Sequence, residues 1–400
     1  MPGLTAFRRR SKLQQIAPGS RLFASEDEEQ VICNITKRSL LQQILIEGRK
    51  HWDHDGYDPD CRARFLRAIK CKTPELGGRV FASENGERTF CNTCKSPACT
   101  SCGHWAKVQW QRERWCAIPE GPFKVITLTM PDTLWPLFAS NPELCRKLAE
   151  IAGRVIVGYA RARRGVEVGV MPIPHTFNGK LEFNAHVHAL VTARDLQTLA
   201  SQNRSNIFFD RNQLMRSWKR LIVALLRAAL ESGSLESGMD DAEVEHLLQR
   251  EEVRDWRVHV QAFDGKEHFL RYAGRYVRRP PIAERRIVAV SNGFVQFWYK
   301  DKRLRRRELV VCTVAEFIDR WAQHLPKPRR HSVRYFGLFG PRRWSQVVAG
   351  AFAQIGEKQR PRPKRRRWAI SVERLSGKNP LIDHTGTRMT FVRHLAPATA

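Results

Sequence analysis

Leu181 to Val191 reads L-E-F-N-A-H-V-H-A-L-V, and its period of two constrains the fold more than any other stretch of the chain. Side chains alternate faces along a strand, so Leu181, Phe183, Ala185, Val187, Ala189 and Val191 make one apolar face that requires a core behind it. The other face presents Glu182, Asn184, His186 and His188. The two histidines stand about 7 Å apart at Cα, which lets both rings converge on one divalent ion. A solvent-facing polar strand with two incidental histidines fits the same pattern. Glu182 lies about 13 Å from His186 along an extended strand, a poor third ligand without a bulge.

Three further runs read as strands: Phe123 to Met130, Val166 to Ile173 and Trp256 to Ala262. Helical patterns separate them, over Asn141 to Arg163 with Pro142 at the first position, and over most of Ile207 to Leu230. Asn292-Gly293 between Ile287–Ser291 and Phe294–Tyr299 is the dipeptide of a two-residue hairpin. Strands interleaved with helices and closed by a hairpin predict an α+β fold with a split β-α-β core over roughly 120 to 300. Ser39 to Ile46 and Cys61 to Ile69 read as helices. The expected organisation is a polar helical segment over 1–60, a zinc- and DNA-binding domain over 61–118, a catalytic domain over 119–300, a basic helical region over 301–356 and a flexible basic tail over 357–400.

The charge narrows the partners. Lys and Arg number 69 against 40 Asp and Glu, a net +29. Each neutralised phosphate of a nucleic acid releases condensed counterions, so such an excess suits a polyanion. An anionic membrane is the competing explanation, but no run approaches the ~18 apolar residues that span a bilayer. The best stretch, Leu221 to Leu230, is cut by Arg227. Arg8, Arg9 and Arg10 precede no apolar segment of a secretory signal. The expectation is a soluble cytoplasmic protein facing DNA rather than a membrane, with its oligomeric state left open and a homo-oligomer among the options. The run from Arg360 to Arg367, broken by Pro361 and Pro363, is expected to be a flexible arm.

Four of ten cysteines fall within twelve residues, as Cys91-x2-Cys94-x4-Cys99-x2-Cys102. Two such knuckles supply the four thiolates of a tetrahedral Zn²⁺ site, with His104 able to replace one. The other six cysteines are scattered and read as buried thiols. Trp105, Lys107, Trp110, Arg112, Arg114 and Trp115 follow, a mix that suits either DNA contact or packing on the zinc knuckle.

Asp264 and Glu267 resemble a capping box opening a short helix over Lys266 to Arg279. Phe269, Tyr272, Ala273 and Tyr276 share one of its faces. Aromatics at this spacing are usually core, and packing alone accounts for them. As chemistry, they are two phenols one turn apart, among Arg271, Arg275, Arg278 and Arg279. A phenol, with pKa about 10, is a weak nucleophile. A metal ion would help it attack a phosphodiester.

Asn184 to Thr192 resembles the HUH metal motif, and Tyr272 to Ala283 resembles the two-tyrosine motif of insertion-sequence-ninety-one family transposases. Leu76-Gly77-Gly78, His175-Thr176-Phe177 and Arg334-Tyr335-Phe336-Gly337-Leu338 stand in the order that family shows. The resemblance implies an HUH-type antiparallel sheet of ferredoxin/RRM-like kind. It implies rolling-circle-type transposition of an insertion sequence in a bacterial cytoplasm, at the nucleoid, by nicking and rejoining single-stranded DNA through a 5′-phosphotyrosine. Tyr272 and Tyr276 would be catalytic, and His186 and His188 would hold Mg²⁺ or Mn²⁺. Arg275, Arg278 and Arg279 would contact DNA. His175, Glu267, His268 and His259 are candidates for a third ligand, with His175 favoured by its place in a family-like segment. The family's earlier CxxC is missing between Phe81 and Gly86, and Cys91 would compensate. The alternatives are a plasmid rolling-circle replication initiator with the same chemistry and a non-catalytic zinc-dependent DNA-binding protein.

Overall fold

The computed structural model describes residues 38–96, 98–194, 206–277, 280–301, 304–325, 333–353 and 355–398. The chain opens with α1 (Leu40–Glu47), α2 (Arg49–Trp52) and α3 (Pro59–Ile69). Ser39 and Gln42 form a full capping box on α1, and the Asp58 carboxylate caps α3 ahead of Pro59. The hairpin β1 (Gly78–Ser83) and β2 (Gly86–Cys91) follows, then α4 (Thr100–Ala117).

The central unit comprises β3 (Phe123–Thr129), α5 (Trp135–Ser140), α6 (Pro142–Arg164), β4 (Gly169–Phe177), β5 (Phe183–Thr192), α7 (Arg211–Glu231), α8 (Asp241–Val253), β6 (Val258–Phe263) and α9 (Lys266–Ala273). Beyond it come β7 (Ile287–Ser291), β8 (Phe294–Lys300), β9 (Arg307–Thr313), α10 (Val314–Ala322), β10 (Phe336–Gly337), α11 (Pro341–Ala353), α12 (Trp368–Ser376) and β11 (Thr390–Leu395).

The central sheet has the order β10-β4-β5-β3-β6, every neighbouring pair antiparallel. β3 and β4, joined through α6, therefore run parallel with β5 between them. One face (Ile126, Leu128, Ala185, Val187, Ala189) packs on α6 and α7 through Leu148, Ile156, Trp218 and Ile222. The other face is not simply polar. Phe123, Val125, Ile173 and Leu190 carry Trp110 of α4 and Phe269 and Leu270 of α9, while His186 and His188 stand beyond that apolar patch. β5 starts at Phe183 rather than at Leu181. With φ at +64°, Leu181 sits in the turn, and its fully buried side chain joins a different core.

That second core lies under the sheet β7-β8-β9, where Phe297 packs with Leu41, Ile44, Phe65, Phe317 and Trp321. Asn292 and Gly293 both take positive φ, 52° and 77°, as the expected tight turn requires. The hairpin is thus present but does not close the central sheet. Its inward residues match the apolar faces of α1 and α10, so 38–70 and 287–325 share one core across the expected boundary at 300.

Residues 357–398 also depart from the expected flexible tail. β11 pairs antiparallel with β1, Gly78 opposite Leu395, and the Trp368 ring lies 4.6 Å from Phe90. The added strand satisfies an edge that would otherwise expose backbone donors and acceptors. Among the described residues no helix is long and apolar enough to cross a membrane.

Gly337 has φ of +58°, and a Cβ there would sit 2.0 Å from the Val168 carbonyl oxygen. Gly337→Ala is expected to destabilise the chain by about 2 kcal/mol or more in urea unfolding. An unchanged midpoint would contradict the β10 placement.

Candidate functional site

The antiparallel register puts His175 of β4 directly opposite His186 of β5, and Thr127 of β3 opposite His188. Directly paired residues project to the same side, so three imidazoles share the end of one sheet face. One ligand nitrogen from each lies within 4.8 Å of the others. His186 Nδ1 donates to the Asn184 carbonyl at 2.8 Å, leaving Nε2 as its lone-pair nitrogen. His188 Nδ1 meets Thr127 Oγ1 at 3.1 Å. The two Nε2 atoms converge to 3.2 Å. His175 Nε2 donates to the Tyr276 carbonyl at 3.2 Å, which leaves Nδ1 for a ligand. Burial, and then His186, push the His175 imidazole down to about 3, so it is neutral at physiological pH.

The tyrosines meet this group. Tyr276 lies over His188 with ring centroids 3.8 Å apart, and its hydroxyl donates to the Tyr272 hydroxyl at 3.0 Å. Burial first, then that bond, raise the Tyr276 phenol well above its ordinary value. Phe269 and Ala273 of the same helix are fully buried, whereas both tyrosines are half-buried. The helix face thus divides into a packing half and a site half. The regular helix ends at Ala273 and continues as a turn, with Tyr276 N–H donating to the Ala273 carbonyl. Asp264 does not cap it. Gly265 is the cap residue, and the Lys266 N–H donates instead to Glu120 Oε1 at 2.6 Å.

α4 holds this segment from behind. The buried Gln111 side chain donates to the Leu270 carbonyl at 2.9 Å. A Cβ on Gly274 would stand 2.2 Å from Gln111 Nε2, so glycine permits the approach. Arg275 is exposed, with its guanidinium 5.5 Å from the Tyr272 ring centre. Arg278 and Arg279 lie outside the described residues. The other third-ligand candidates stand apart from the imidazole trio. Glu267 is paired with Arg271 at 2.7 Å, and His259 and His268 are exposed.

The cysteine cluster comprises Cys71, Cys94, Cys99 and Cys102, all buried. Its sulfurs are 3.6 Å apart for Cys71–Cys102 and Cys94–Cys102, and 3.7 Å for Cys71–Cys99. Tetrahedral Zn²⁺ with bonds of about 2.3 Å sets its ligands about 3.8 Å apart. The fit to a structural Zn²⁺ is close. Hydrogen bonds from Cys71, Cys94 and Cys99 pull the Cys102 thiol far down, as a thiolate ligand needs. Cys91 is not in the group. It is the last residue of β2, held opposite Gly78 by the ladder, and the loop to Cys94 begins after it. Cys71, just past α3, takes its place, and its sulfur accepts from the Cys94 N–H at 3.4 Å. His104 is outside the cluster as well.

A family model described as a transposase zinc-binding domain matches residues 44–130, and one described as a putative transposase matches residues 169–346. The transposase for insertion sequence element IS801 of Pseudomonas savastanoi pv. phaseolicola is 30% identical over 305 residues, 72% of each chain. The chain belongs to the insertion-sequence-ninety-one family of transposases. The putative transposase y4qJ of Sinorhizobium fredii is 28% identical across 79% of this transposase and 84% of its own length. No solved structure matches.

Three contributors to the transposase site carried weak or no sequence signal. Cys71 stands alone, twenty residues before the knuckles, and only a turn after a helix marks it. Gln111 is a polar residue in a polar stretch. Thr127 shows no cue until β3 is set beside β5. The zinc assignment predicts that Cys71→Ser reduces bound zinc to background by atomic absorption, while Cys91→Ser keeps the wild-type content. The reverse order would restore Cys91 as ligand.

Proposed function

We propose that this transposase nicks and rejoins single-stranded DNA through a 5′-phosphotyrosine at the pocket shared by His175, His186, His188, Tyr272 and Tyr276. The observation that carries the reading is the Tyr276 ring resting on His188, with the Tyr272 hydroxyl one hydrogen bond further on. Two nucleophiles and three imidazole nitrogens then address one phosphate. The strand order β4-β5-β3-β6, with crossovers through α6 and through α7–α8, supports an HUH-type, ferredoxin/RRM-like sheet. Two tyrosines on one segment suit rolling-circle transposition, since one can hold a cut end while the other cuts again.

His175, His186 and His188 would hold Mg²⁺ or Mn²⁺, their three nitrogens leaving other positions to phosphate and water oxygens that both ions accept. When bound, the ion would polarise the scissile phosphate and offset its charge. The protein's own groups supply the rest. The phenolic oxygen forms the new bond to phosphorus as the P–O3′ bond breaks, and the phenol proton ends on the freed 3′ oxygen. The tyrosyl ester keeps the bond energy, so a 3′ hydroxyl can reverse the step without a nucleotide cofactor. Tyr276 donates to Tyr272, which stabilises a phenolate on Tyr272. Tyr272 therefore makes the first cut. Arg275 beside it faces the developing charge.

Incubation with Mn²⁺ and single-stranded oligonucleotides from element ends is expected to give a protein–DNA adduct that survives denaturation. Tyr272→Phe should lower its first-turnover rate by about a thousandfold or more. Tyr276→Phe removes one hydrogen bond to the nucleophile and should cost about tenfold. An adduct that persists in the double variant would reject both assignments. Complete absence of adduct in the wild type with bound DNA would favour a zinc-dependent DNA-binding role.

A further inference from the structure

The segment from Lys358 to Arg367 carries seven lysine and arginine side chains and no acid. It has no regular secondary structure, yet it is fixed at both ends and in the middle. Before it, Glu357 accepts from Lys266 Nζ at 3.3 Å, at the start of the tyrosine helix. After it, Trp368 packs on Phe90 of the zinc unit. Between them, Gln109 of α4 donates to the Pro363 carbonyl at 3.5 Å, and Arg362 pairs with Glu113 of α4 at 3.2 Å. The segment is a strap laid along one side of α4.

Helical geometry fixes which side. At about 100° per residue, Gln109, Arg112 and Glu113 share one face, and Trp110, Gln111 and Arg114 share the opposite one. The second face holds α9 and Tyr335, through Gln111 to Leu270 and Trp110 to Tyr335. The strap therefore runs across the helix from the tyrosines, separated from them by about the 10 Å diameter of an α-helix.

On the strap side three guanidiniums lie near enough to repel one another. Arg366 is half-buried beside Arg112 of α4 and Arg374 of α12, and burial together with those two neighbours pushes it down to about 10. Glu113, on the same face, is already engaged by Arg362. Among the described residues Arg366 and Arg374 make no ion pair. Like charges held together raise the energy of the free protein, and a string of anions relieves that repulsion.

We propose that Arg112, Arg366 and Arg374, with the exposed strap residues Arg360, Lys364 and Arg365, form a second DNA site that grips the phosphodiester backbone across α4 from the cleavage pocket. Its ligand is a run of phosphates, which both single strands and duplexes supply. The strap ties the zinc unit, α4 and the start of α9 into one surface. DNA gripped there is held beside the pocket without entering it. This site stands on the transposase's DNA partner and does not depend on the tyrosine chemistry.

The test is binding of a labelled thirty-nucleotide single strand and of the matching duplex to the full chain, without divalent metal, across a salt series. Arg112→Gln/Arg366→Gln/Arg374→Gln is expected to weaken binding at least tenfold near 0.1 M salt. Its log affinity should fall less steeply with log salt, by about 0.7 to 0.9 per lost phosphate contact. Arg360→Gln/Lys364→Gln/Arg365→Gln alters only exposed side chains and should shift the slope the same way, which covers the first variant should it fail to fold. The arm with the larger change identifies the form of DNA held. Adduct yield on a short oligonucleotide at saturating concentration should remain at the wild-type level in the exposed-residue variant, which separates this site from the cleavage pocket. Wild-type affinity and slope for both DNAs in the exposed-residue variant would overturn the proposal.

Discussion

The pairing of His175 with His186 across β4 and β5 is the constraint on which the site depends. An antiparallel register has a period of two, and a slip of one residue sends a side chain to the opposite face. In that slipped sheet either His175 would enter the core on α6, or Ala185 and Val187 would leave that core for the opposite face. The apolar alternation of β5 forbids it, because Ala185, Val187 and Ala189 fill the packed side. Core burial therefore sets the geometry of the three imidazoles. They need no separate scaffold, since the same alternation that packs one face on α6 and α7 puts the imidazoles together on the other.

The tyrosines depend on a second contact, made from the zinc unit. α4 starts within the four-cysteine cluster, at Cys99 and Cys102, and reaches α9 three turns later through Gln111 and the glycine at 274. The bond from His175 to the Tyr276 carbonyl closes the circuit from the sheet. Zinc, on this view, sets where α4 begins, and α4 sets how far α9 stands from the imidazoles. The cluster is thereby tied, through α4 and α9, to the sheet that carries the imidazoles.

Much of this was legible in the sequence, and the failures have physical causes. The strands, α6, the hairpin turn and three of the four zinc thiols followed from local pattern, because period, capping and knuckle spacing are local. What failed was non-local. Cys91 fits the knuckle spacing better than Cys71, yet β2 pairing commits its backbone to the ladder. Leu181 continues the alternation of β5, yet the turn gives it a left-handed conformation and a different core. Thr390 to Leu395 is β-branched and aromatic enough for a strand, but the dominant charge nearby favoured a loose tail. The hairpin at Asn292-Gly293 was found, but its partner sheet was set by apolar faces more than two hundred residues upstream.

The central claim is that the imidazoles and the phenols line one pocket. Fluorine NMR of the transposase carrying 3-fluorotyrosine, titrated with Mn²⁺, addresses it directly, with resonances assigned through Tyr→Phe variants. Paramagnetic broadening should remove the Tyr272 and Tyr276 signals first, ahead of Tyr159 on α6 behind the sheet, and His186→Ala should abolish that order. Tyr272 and Tyr276 lines that stay sharp while Mn²⁺ occupies the histidines would contradict the account.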